Sequence, residues 1–305
     1  MTALPHHNAS TSWFEATARQ RLAALLDHKS FAEFLGPEQR ETSPHLGLFD
    51  LPRQFDDGIV VGRARLDNRP IFVAAQEGRF MGGAFGEVHG AKLTGLLRAA
   101  GIHRQDVVLL FDTGGVRLQE ANAGELAISE IIRAIVEARI AGCSVIGLIG
   151  GRAGCYGGGG IIAGCCSHLI VSEQGRISVS GPEVIETNRG VEEFDSRDRA
   201  FVWRTMGGKH RYLIGGADDF VNDNADGFRA ATIAALAKRQ PLTTSVLEAE
   251  QKRLANRLDR FGQAQDGIDV WTALGITDPV GLPGSATEAF LEQALDKREN
   301  ANGAR

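Results

Sequence analysis

Two glycine-rich segments contain the residues of this 305-residue chain that could do chemistry. They read LFDTGGVRLQE (110–120) and GGRAGCYGGGGIIA (150–163). Each follows an apolar, β-branched run and precedes a helix-like stretch. A strand that ends in glycine and opens a helix exposes free backbone N–H groups at a positive dipole end. Two such turns predict a site that holds negative charge, on a phosphate or on an oxyanion that develops during a reaction.

Known phosphate-binding and hydrolase patterns fit these segments poorly. The order G-x-G-x-x-G occurs only in broken form between Gly154 and Gly159, and a P-loop ending in Gly-Lys-Ser/Thr is absent. Neither G-x-S-x-G nor H-E-x-x-H occurs. The spacing therefore favours, modestly, an oxyanion hole. In such a site two N–H donors lie about 2.7–3.1 Å from the charged oxygen, and glycine lets the backbone approach closely.

Composition and charge exclude several classes of protein. With 43% hydrophobic and 23% charged residues, the chain has the composition of a globular protein. A net charge of −5 argues against nucleic acid as a partner, and no apolar run approaches the ~20 residues of a membrane helix. The N-terminus lacks a basic start followed by an apolar core, so we expect a cytoplasmic protein.

The four cysteines predict neither a metal site nor a disulfide framework. They lie at positions 143, 155, 165 and 166, and no C-x-x-C pair occurs. We expect them to be small buried hydrophobes. Cys155 lies inside the second turn and could be a nucleophile, although no histidine lies nearby in sequence to activate it.

The elements that must position the two turns alternate between strand and helix. Apolar periodicity predicts this order: a hairpin over 58–77, helix 90–100, strand 107–111, helix 124–141, strand 144–149, a helix from 158, and strands 168–173 and 176–180. Such alternation predicts a mostly parallel, layered α/β core.

Helical segments flank this core on both sides. We predict a helix over 13–35, a loop over 36–57 and helices within 183–212. A short edge segment over 218–223 precedes a long helical region that runs to about 261 and breaks near Pro241. No linker is evident, so we expect one domain in three parts: an N-terminal helix and loop (1–57), an α/β core (58–224) and a C-terminal helical region (225–305).

Three motifs resemble those of acyl-CoA carboxyltransferase β subunits. DTGGVRLQEANAGE (112–125) is similar to their D-[ST]-G-G-A-R-[ML]-Q-E segment, and GCYGGGG followed by IIA resembles their second oxyanion turn. ISVSGPEVIE (177–186) resembles their I-x-x-x-G-P-[ERK]-V-[IV]-E segment. The motifs occur in the family's order. The resemblance implies a crotonase-like fold of β-β-α layers wound as a superhelix, and a single carboxyltransferase-like domain over 1–305.

Two further segments, 41–97 and 210–223, resemble the β subunits of malonate decarboxylases. The Cys₄ zinc ribbon of bacterial acetyl-CoA carboxylase β subunits is absent. This resemblance implies a homologous γ subunit as partner and a malonyl thioester carried by an acyl-carrier subunit on a phosphoribosyl-dephospho-CoA arm. The β–γ pair would remove CO₂ and leave an acetyl thioester, with no cofactor bound directly by this chain.

The resemblance also assigns residues to roles. Gly158 and Gly159 are expected to form the oxyanion turn, and Gly114 and Gly115 the loop beside the thioester and carboxylate, all through backbone N–H groups. For Gly114 and Gly115, tight strand–helix packing is an equal alternative. Loss of CO₂ develops charge on the thioester oxygen, which preorganised donors stabilise.

Side chains near the turns have weaker assignments. Arg152 and Lys209 could contact the phosphates of the carrier arm, with solvated surface charge as the alternative, and Arg117 and Glu120 are expected to form a structural ion pair. The proton donor to the enolate could be one of three histidines, each of which could equally be structural: His89, His168 and His210.

Two other functions stay open from the sequence. A carboxyltransferase that passes the carboxyl group to biotin would use the same turns. A non-catalytic scaffold that only docks the carrier would depend on the helices over 225–261 instead.

Overall fold

A computed structural model describes residues 12–239 and 241–302 and contains one seven-stranded sheet. The strands lie in the order in which they occur in the sequence: β1 (Ala32–Glu33), β2 (Ile59–Leu66), β3 (Arg69–Gln76), β4 (Val107–Phe111), β5 (Val145–Ile149), β6 (His168–Ser172) and β7 (Asp219–Val221). Strands β1 to β3 are antiparallel, and β3 to β7 are parallel. The predicted parallel α/β core is confirmed.

Helices connect the strands and form the C-terminal region. They are α1 (Ala18–Leu25), α2 (Pro44–Leu48), α3 (Glu87–His103), α4 (Asn122–Ile140), α5 (Gly158–Gly164), α6 (Pro182–Arg189), α7 (Arg199–Met206), α8 (Gly208–Leu213), α9 (Ala225–Ala237), α10 (Thr244–Phe261), α11 (Gly267–Ala273) and α12 (Thr287–Asn302). None of the helices in the described part of the chain is long and apolar enough to cross a membrane.

The sheet is covered on both faces, which explains the continuous apolar runs of its central strands. Every residue of β4, β5 and β6 is buried. Helices α3 and α4 pack on one face together with α8, α11 and α12, and α1 and α9 pack on the other. The sheet is therefore a rigid platform for the loops at its carboxyl edge.

A second, smaller layer of β pairing follows the carboxyl ends of β4, β5 and β6. Thr113 pairs with Cys155, and Cys155 pairs with Ile177, both in parallel. A helix follows each of these segments, so the unit strand, bridge, helix repeats three times. This arrangement agrees with the β-β-α layers that the resemblance implied. The predicted strand over 176–180 is limited to isolated bridges at Arg176 and Ile177.

The predicted helix over 13–35 is correct only for Ala18–Leu25, which form α1. Helix α1 ends at Leu25, because Leu26 is extended and a turn follows in which Ser30 N–H donates to Asp27 O at 3.0 Å. Ala32 and Glu33 then pair with β2. Pairing at the sheet edge thus overrides a weak helical pattern. Residues 1–11 of the expected N-terminal part lie outside the described residues.

Most of the remaining flanking predictions agree with the structure, but the predicted loop over 36–57 contains the short helix α2. The hairpin turns at Asp67 and Asn68, whose φ angles of 51° and 61° are typical of a two-residue turn. The edge segment over 218–223 contains β7, and the long C-terminal helical region is broken between α9 and α10.

Candidate active site

The two glycine turns lie in contact at the carboxyl edge of the sheet. Tyr156 N–H donates to Thr113 O at 3.0 Å, and Thr113 N–H donates to Gly154 O at 2.8 Å. A Cβ atom added to Gly157 would lie only 3.2 Å from Gly115 Cα. Parallel strands place their carboxyl ends together, and glycine lets the two backbones touch.

A buried carboxylate holds the two turns together. Asp112, 2% exposed, accepts a hydrogen bond from Ala153 N–H in the second turn at 2.6 Å through Oδ1. Its Oδ2 forms an ion pair of 2.7 Å with Arg21 of α1, which is equally buried. Asp112 therefore connects both turns to the N-terminal helix. Sequence reasoning missed it because Arg21 and Asp112 are 91 positions apart.

The second turn presents two backbone donors without acceptors. Gly157 has φ 57° and ψ −132°, a conformation open to glycine, and it directly precedes α5. Within residues 12–239 and 241–302, nothing accepts a hydrogen bond from the N–H of Gly157 or of Gly158. Both residues are only partly buried. The first N–H groups of a helix have no acceptor within it, so these two are available to an anionic group that approaches the turn.

Gly159 has a different part in the turn from the one predicted. Its N–H donates to Tyr156 O at 3.0 Å. A Cβ atom on Gly159 would lie 2.4 Å from the Thr113 methyl group, so glycine is needed there for packing. The available donor pair is therefore Gly157 and Gly158, one position earlier than Gly158 and Gly159. In a run of four glycines, the sequence does not reveal which residue has the positive φ.

The donors of the first turn are used within the fold. Gly114 N–H donates to Gly82 O at 2.8 Å, and Gly115 N–H donates to Thr113 Oγ1 at 3.1 Å. Gly115 O in turn accepts a hydrogen bond from Phe85 N–H at 2.8 Å. These contacts correct the expectation that Gly114 and Gly115 offer their N–H groups to the substrate. The alternative of tight packing describes them better.

A buried ionic cluster fixes the chain after the first turn. Arg117 pairs with Asp57 at 2.7 Å and with Glu120 at 2.9 Å, and all three side chains are buried. Burial raises the pKa of Asp57, although Arg117 opposes that shift. The predicted structural ion pair between Arg117 and Glu120 is confirmed.

The two predicted phosphate ligands differ in their surroundings. Lys209 is buried, and its Nζ donates to Glu173 Oε1 and to three backbone carbonyls, those of Leu282, Pro283 and Ser285. The predicted phosphate contact of Lys209 is therefore replaced by a structural role that fastens the loop before α12. Arg152 is exposed in the second turn, and its predicted contact with phosphate stays a prediction.

The predicted histidines and Cys155 are held by the core. His89 is fully buried between Gln76 Nε2 and Asp57 O, and burial lowers its pKa well below the usual value. His168 pairs with Asp219 at 2.7 Å, at the opposite end of β6. Burial also raises the pKa of the Cys155 thiol well above its usual value, which agrees with a buried small hydrophobe.

Several large hydrophobic side chains near the turns are exposed. They lie within or directly after the three motifs, and Leu118 reaches 88% exposure. The others are Leu126, Ile161, Val179 and Val184. Exposed hydrophobic side chains form a binding surface only where they are contiguous, so their position beside the turns is what bears on a partner.

Comparison with known proteins gives a consistent result. The carboxyl transferase domain family matches residues 14–237. The malonyl-S-ACP:biotin-protein carboxyltransferase MADC of Malonomonas rubra is 39% identical over 304 residues, which cover 93% of this chain and 95% of that protein.

Two solved structures are similar over nearly the whole chain. A chain of the Pseudomonas malonate decarboxylase hetero-tetramer in complex with malonate superposes with a TM-score of 0.80 at 42% identity, over 87% of this chain and 98% of that one. A chain of the Pseudomonas malonate decarboxylase MdcD-MdcE hetero-dimer superposes with a TM-score of 0.66 at 38% identity, over 83% and 97%.

Proposed function

The chain belongs to the carboxyl transferase domain family, and from this premise we propose that it is the β subunit of a malonate decarboxylase. In that role it stabilises the enolate that forms when a malonyl thioester loses CO₂. The observation that carries the proposal is the pair of N–H groups on Gly157 and Gly158, which lie side by side without acceptors in the described structure.

The reaction needs donors at one particular oxygen. When the bond between the carboxylate carbon and the α carbon breaks, CO₂ leaves and the electron pair stays on the thioester. Its charge collects on the former carbonyl oxygen, and a proton then adds to the α carbon to give the acetyl thioester. Two preorganised N–H groups stabilise this oxyanion more than the neutral carbonyl, and such donors contribute about 10²–10³ each to the rate.

The first turn forms the wall beside the donors. Gly115 lies against Gly157, and any side chain on Gly157 would close the space between them. We assign Gly114 and Gly115 the shaping of the acyl pocket, through their lack of side chains. Asp112 keeps this wall in register with the donors.

The opposite wall belongs, in this proposal, to a homologous γ subunit. Exposed apolar side chains in and beside the motifs offer that subunit a surface to cover, and the similar solved structures are a hetero-dimer and a hetero-tetramer. The thioester would arrive on an acyl-carrier subunit through a phosphoribosyl-dephospho-CoA arm, and the exposed Arg152 is the candidate contact for its phosphates.

A biotin-dependent carboxyltransferase remains the second candidate function. The Malonomonas rubra relative carries that activity in its name and is 39% identical to this chain. The same enolate would form, but the carboxyl group would pass to biotin. A non-catalytic scaffold is less favoured, because the similar Malonomonas rubra and Pseudomonas proteins are named for a carboxyltransferase and a decarboxylase.

One experiment separates these functions. The chain is purified with its partner subunit and given a malonyl thioester with and without free biotin, while CO₂ and carboxybiotin are measured. We expect CO₂ and acetyl thioester in equal amounts without biotin. Formation of carboxybiotin with biotin present, and little CO₂ when biotin is left out, would favour the transferase. No reaction with or without biotin would favour the scaffold.

A further inference from the structure

A groove of about 450 Å³ lies between α8, α10 and α11, and the residues that line it come from these helices, their adjoining loops and the end of α7. Its walls combine cationic and apolar side chains. The residues that matter are His210, Arg211, Arg257, Leu258, Phe261 and Val270. Its volume lies within the range of small-molecule sites, about 300–1,000 Å³.

The two arginines in this groove form no salt bridge with a described residue, although Glu250 acts on Arg257 from a longer distance. Arg257 donates to the carbonyl of Ile214 at 2.8 Å, and Arg211 donates to that of Thr205 at 3.2 Å. No carboxylate of a described residue lies within salt-bridge distance of either guanidinium. Asp266 also lines the groove, but Arg204 holds it through both carboxylate oxygens.

Two buried nitrogens of the groove are also unpaired. Arg211 Nε and His210 Nδ1 are buried and make no hydrogen bond with any described residue, and His210 is only 8% exposed. Burial and the charge of Arg257 lower the pKa of Arg211 to about 10. Burial lowers the pKa of His210 to about 3, so its imidazole is neutral near pH 7. Arg211 Nε is always a donor, and leaving it buried and unpaired is costly, so an anion at this position would satisfy it.

The apolar side of the groove indicates that its ligand also has an apolar part. Leu258 is 69% exposed on α10, and no residue of that helix is buried. Leu258, Phe261 and Val270 form an apolar surface next to the two arginines. Inorganic phosphate would fill the cationic end only and leave this surface in water.

We propose that this groove binds a small organic anion. Its carboxylate or phosphate group contacts Arg211 and Arg257, and its apolar part packs on Leu258 and Phe261. The proposal rests on the groove alone and is independent of the reaction at the glycine turns.

Calorimetric titration of the full chain in complex with its partner subunit tests the proposal. The probes are hexanoate, hexyl phosphate and inorganic phosphate. We expect at least one hexyl probe to bind about tenfold or more tightly than inorganic phosphate, since each buried CH₂ group adds to binding. If hexanoate binds and hexyl phosphate does not, the ligand is a carboxylate. If hexyl phosphate binds and hexanoate does not, the ligand is a phosphate ester.

Three variants locate the binding. Arg257→Met should lower the affinity for the probe that binds by about tenfold or more, because it removes a charge-assisted contact. Lys252→Met removes the same charge from an exposed position of α10 outside the groove and should leave affinity unchanged. Leu258→Ala, at an exposed position that does not threaten folding, should weaken the hexyl probes and spare inorganic phosphate.

Circular dichroism and thermal melting of each variant confirm that the fold is kept. The proposal is overturned if no probe binds the complex, or if Arg257→Met and Lys252→Met bind alike. Binding to the isolated chain that disappears in the complex would also overturn it, because the partner subunit would then occupy the groove.

Discussion

The two glycine turns look alike in sequence and differ in their hydrogen bonds. Both follow a fully buried parallel strand. In the first turn, Gly82 O and Thr113 Oγ1 accept the N–H groups of Gly114 and Gly115. In the second, the N–H groups of Gly157 and Gly158 have no acceptor among the described residues. Glycines after a strand therefore identify a turn. A candidate oxyanion site is identified only by finding which backbone N–H groups of that turn lack an acceptor.

A neighbouring loop explains the difference. The segment that contains Gly82 and Phe85 lies against the first turn and exchanges backbone hydrogen bonds with it. No described segment covers the donors of the second turn in this way. The N–H groups of the first turn are thus used within the fold, whereas those of Gly157 and Gly158 stay unpaired, as the proposed oxyanion role requires.

Replacing Gly158 by proline should have the largest effect. Proline lacks the N–H group and is well tolerated at the first position of a helix, which Gly158 occupies in α5. We expect turnover of malonyl thioester to fall about 10²–10³-fold, which corresponds to about 3–4 kcal/mol of transition-state stabilisation. Steady-state kinetics of the complex with the partner subunit measure this loss.

Gly158→Ala is the matched control for that change. It keeps the N–H group, and its Cβ meets Ile128 at 2.7 Å, a crowding that proline shares. Alanine should therefore reveal the steric part of the effect, which a shift of the Ile128 side chain can relieve. If alanine and proline lowered turnover equally, crowding rather than the missing donor would be responsible. The Gly158 N–H group would then not be a donor to the oxyanion.

Asp112→Asn should show how much the carboxylate that joins the two turns contributes to stability and to turnover. The change leaves Arg21 buried without a counter-charge and weakens the acceptor for Ala153 N–H. Removing one partner of a buried ion pair costs about 3 kcal/mol. Urea unfolding should show this loss, together with lower turnover, since both turns depend on the same carboxylate.

An exposed ion pair provides the comparison for Asp112. Arg189 and Glu193 lie 3.5 Å apart, and both are more than half exposed. Glu193→Gln should change the free energy of unfolding by less than about 0.5 kcal/mol. Equal losses for Asp112→Asn and Glu193→Gln would show that Asp112 does not hold the turns together.

Sequence periodicity predicted the elements of the core but not the contacts that complete the site. The central strands are apolar throughout, and a glycine-rich segment follows the end of β4 and of β5, so the positions of both turns at one edge of a parallel sheet could be predicted. The Asp112–Arg21 pair could not, because it joins residues 91 positions apart. Strand β1 was missed because a two-residue edge strand leaves no periodic signal.

Charged residues were the least predictable part of the site. Lys209 looks like a surface cation in sequence, yet three carbonyls near 282–285 bind its ammonium group in the interior. Likewise, four consecutive glycines do not reveal that Gly157 alone has a positive φ among them. Both facts depend on backbone geometry that the whole fold determines.

Cys155→Ala should show that the second turn acts through its backbone. The thiol is fully buried and its pKa is raised, so it stays protonated at pH 8 and reacts poorly. We expect turnover within about threefold of the original and a loss of about 1 kcal/mol in stability from the small cavity. Iodoacetamide should label Cys165, which is partly exposed, before Cys155. Rapid labelling of Cys155 with loss of activity would instead assign the turn a nucleophile.

Gly114→Ala should have the smallest effect, and it tests the first turn directly. The φ angle of Gly114 is not positive, and an added Cβ would meet only Gly82 O, at an ordinary 3.5 Å. Stability should change by less than about 0.5 kcal/mol, with turnover nearly unchanged. Gly115→Ala, at a φ of 133°, should cost about 1–3 kcal/mol of stability because only glycine adopts that angle freely. Should Gly114→Ala reduce turnover as much as Gly158→Pro, both turns would act on the substrate, and the division between packed wall and donor pair would be wrong.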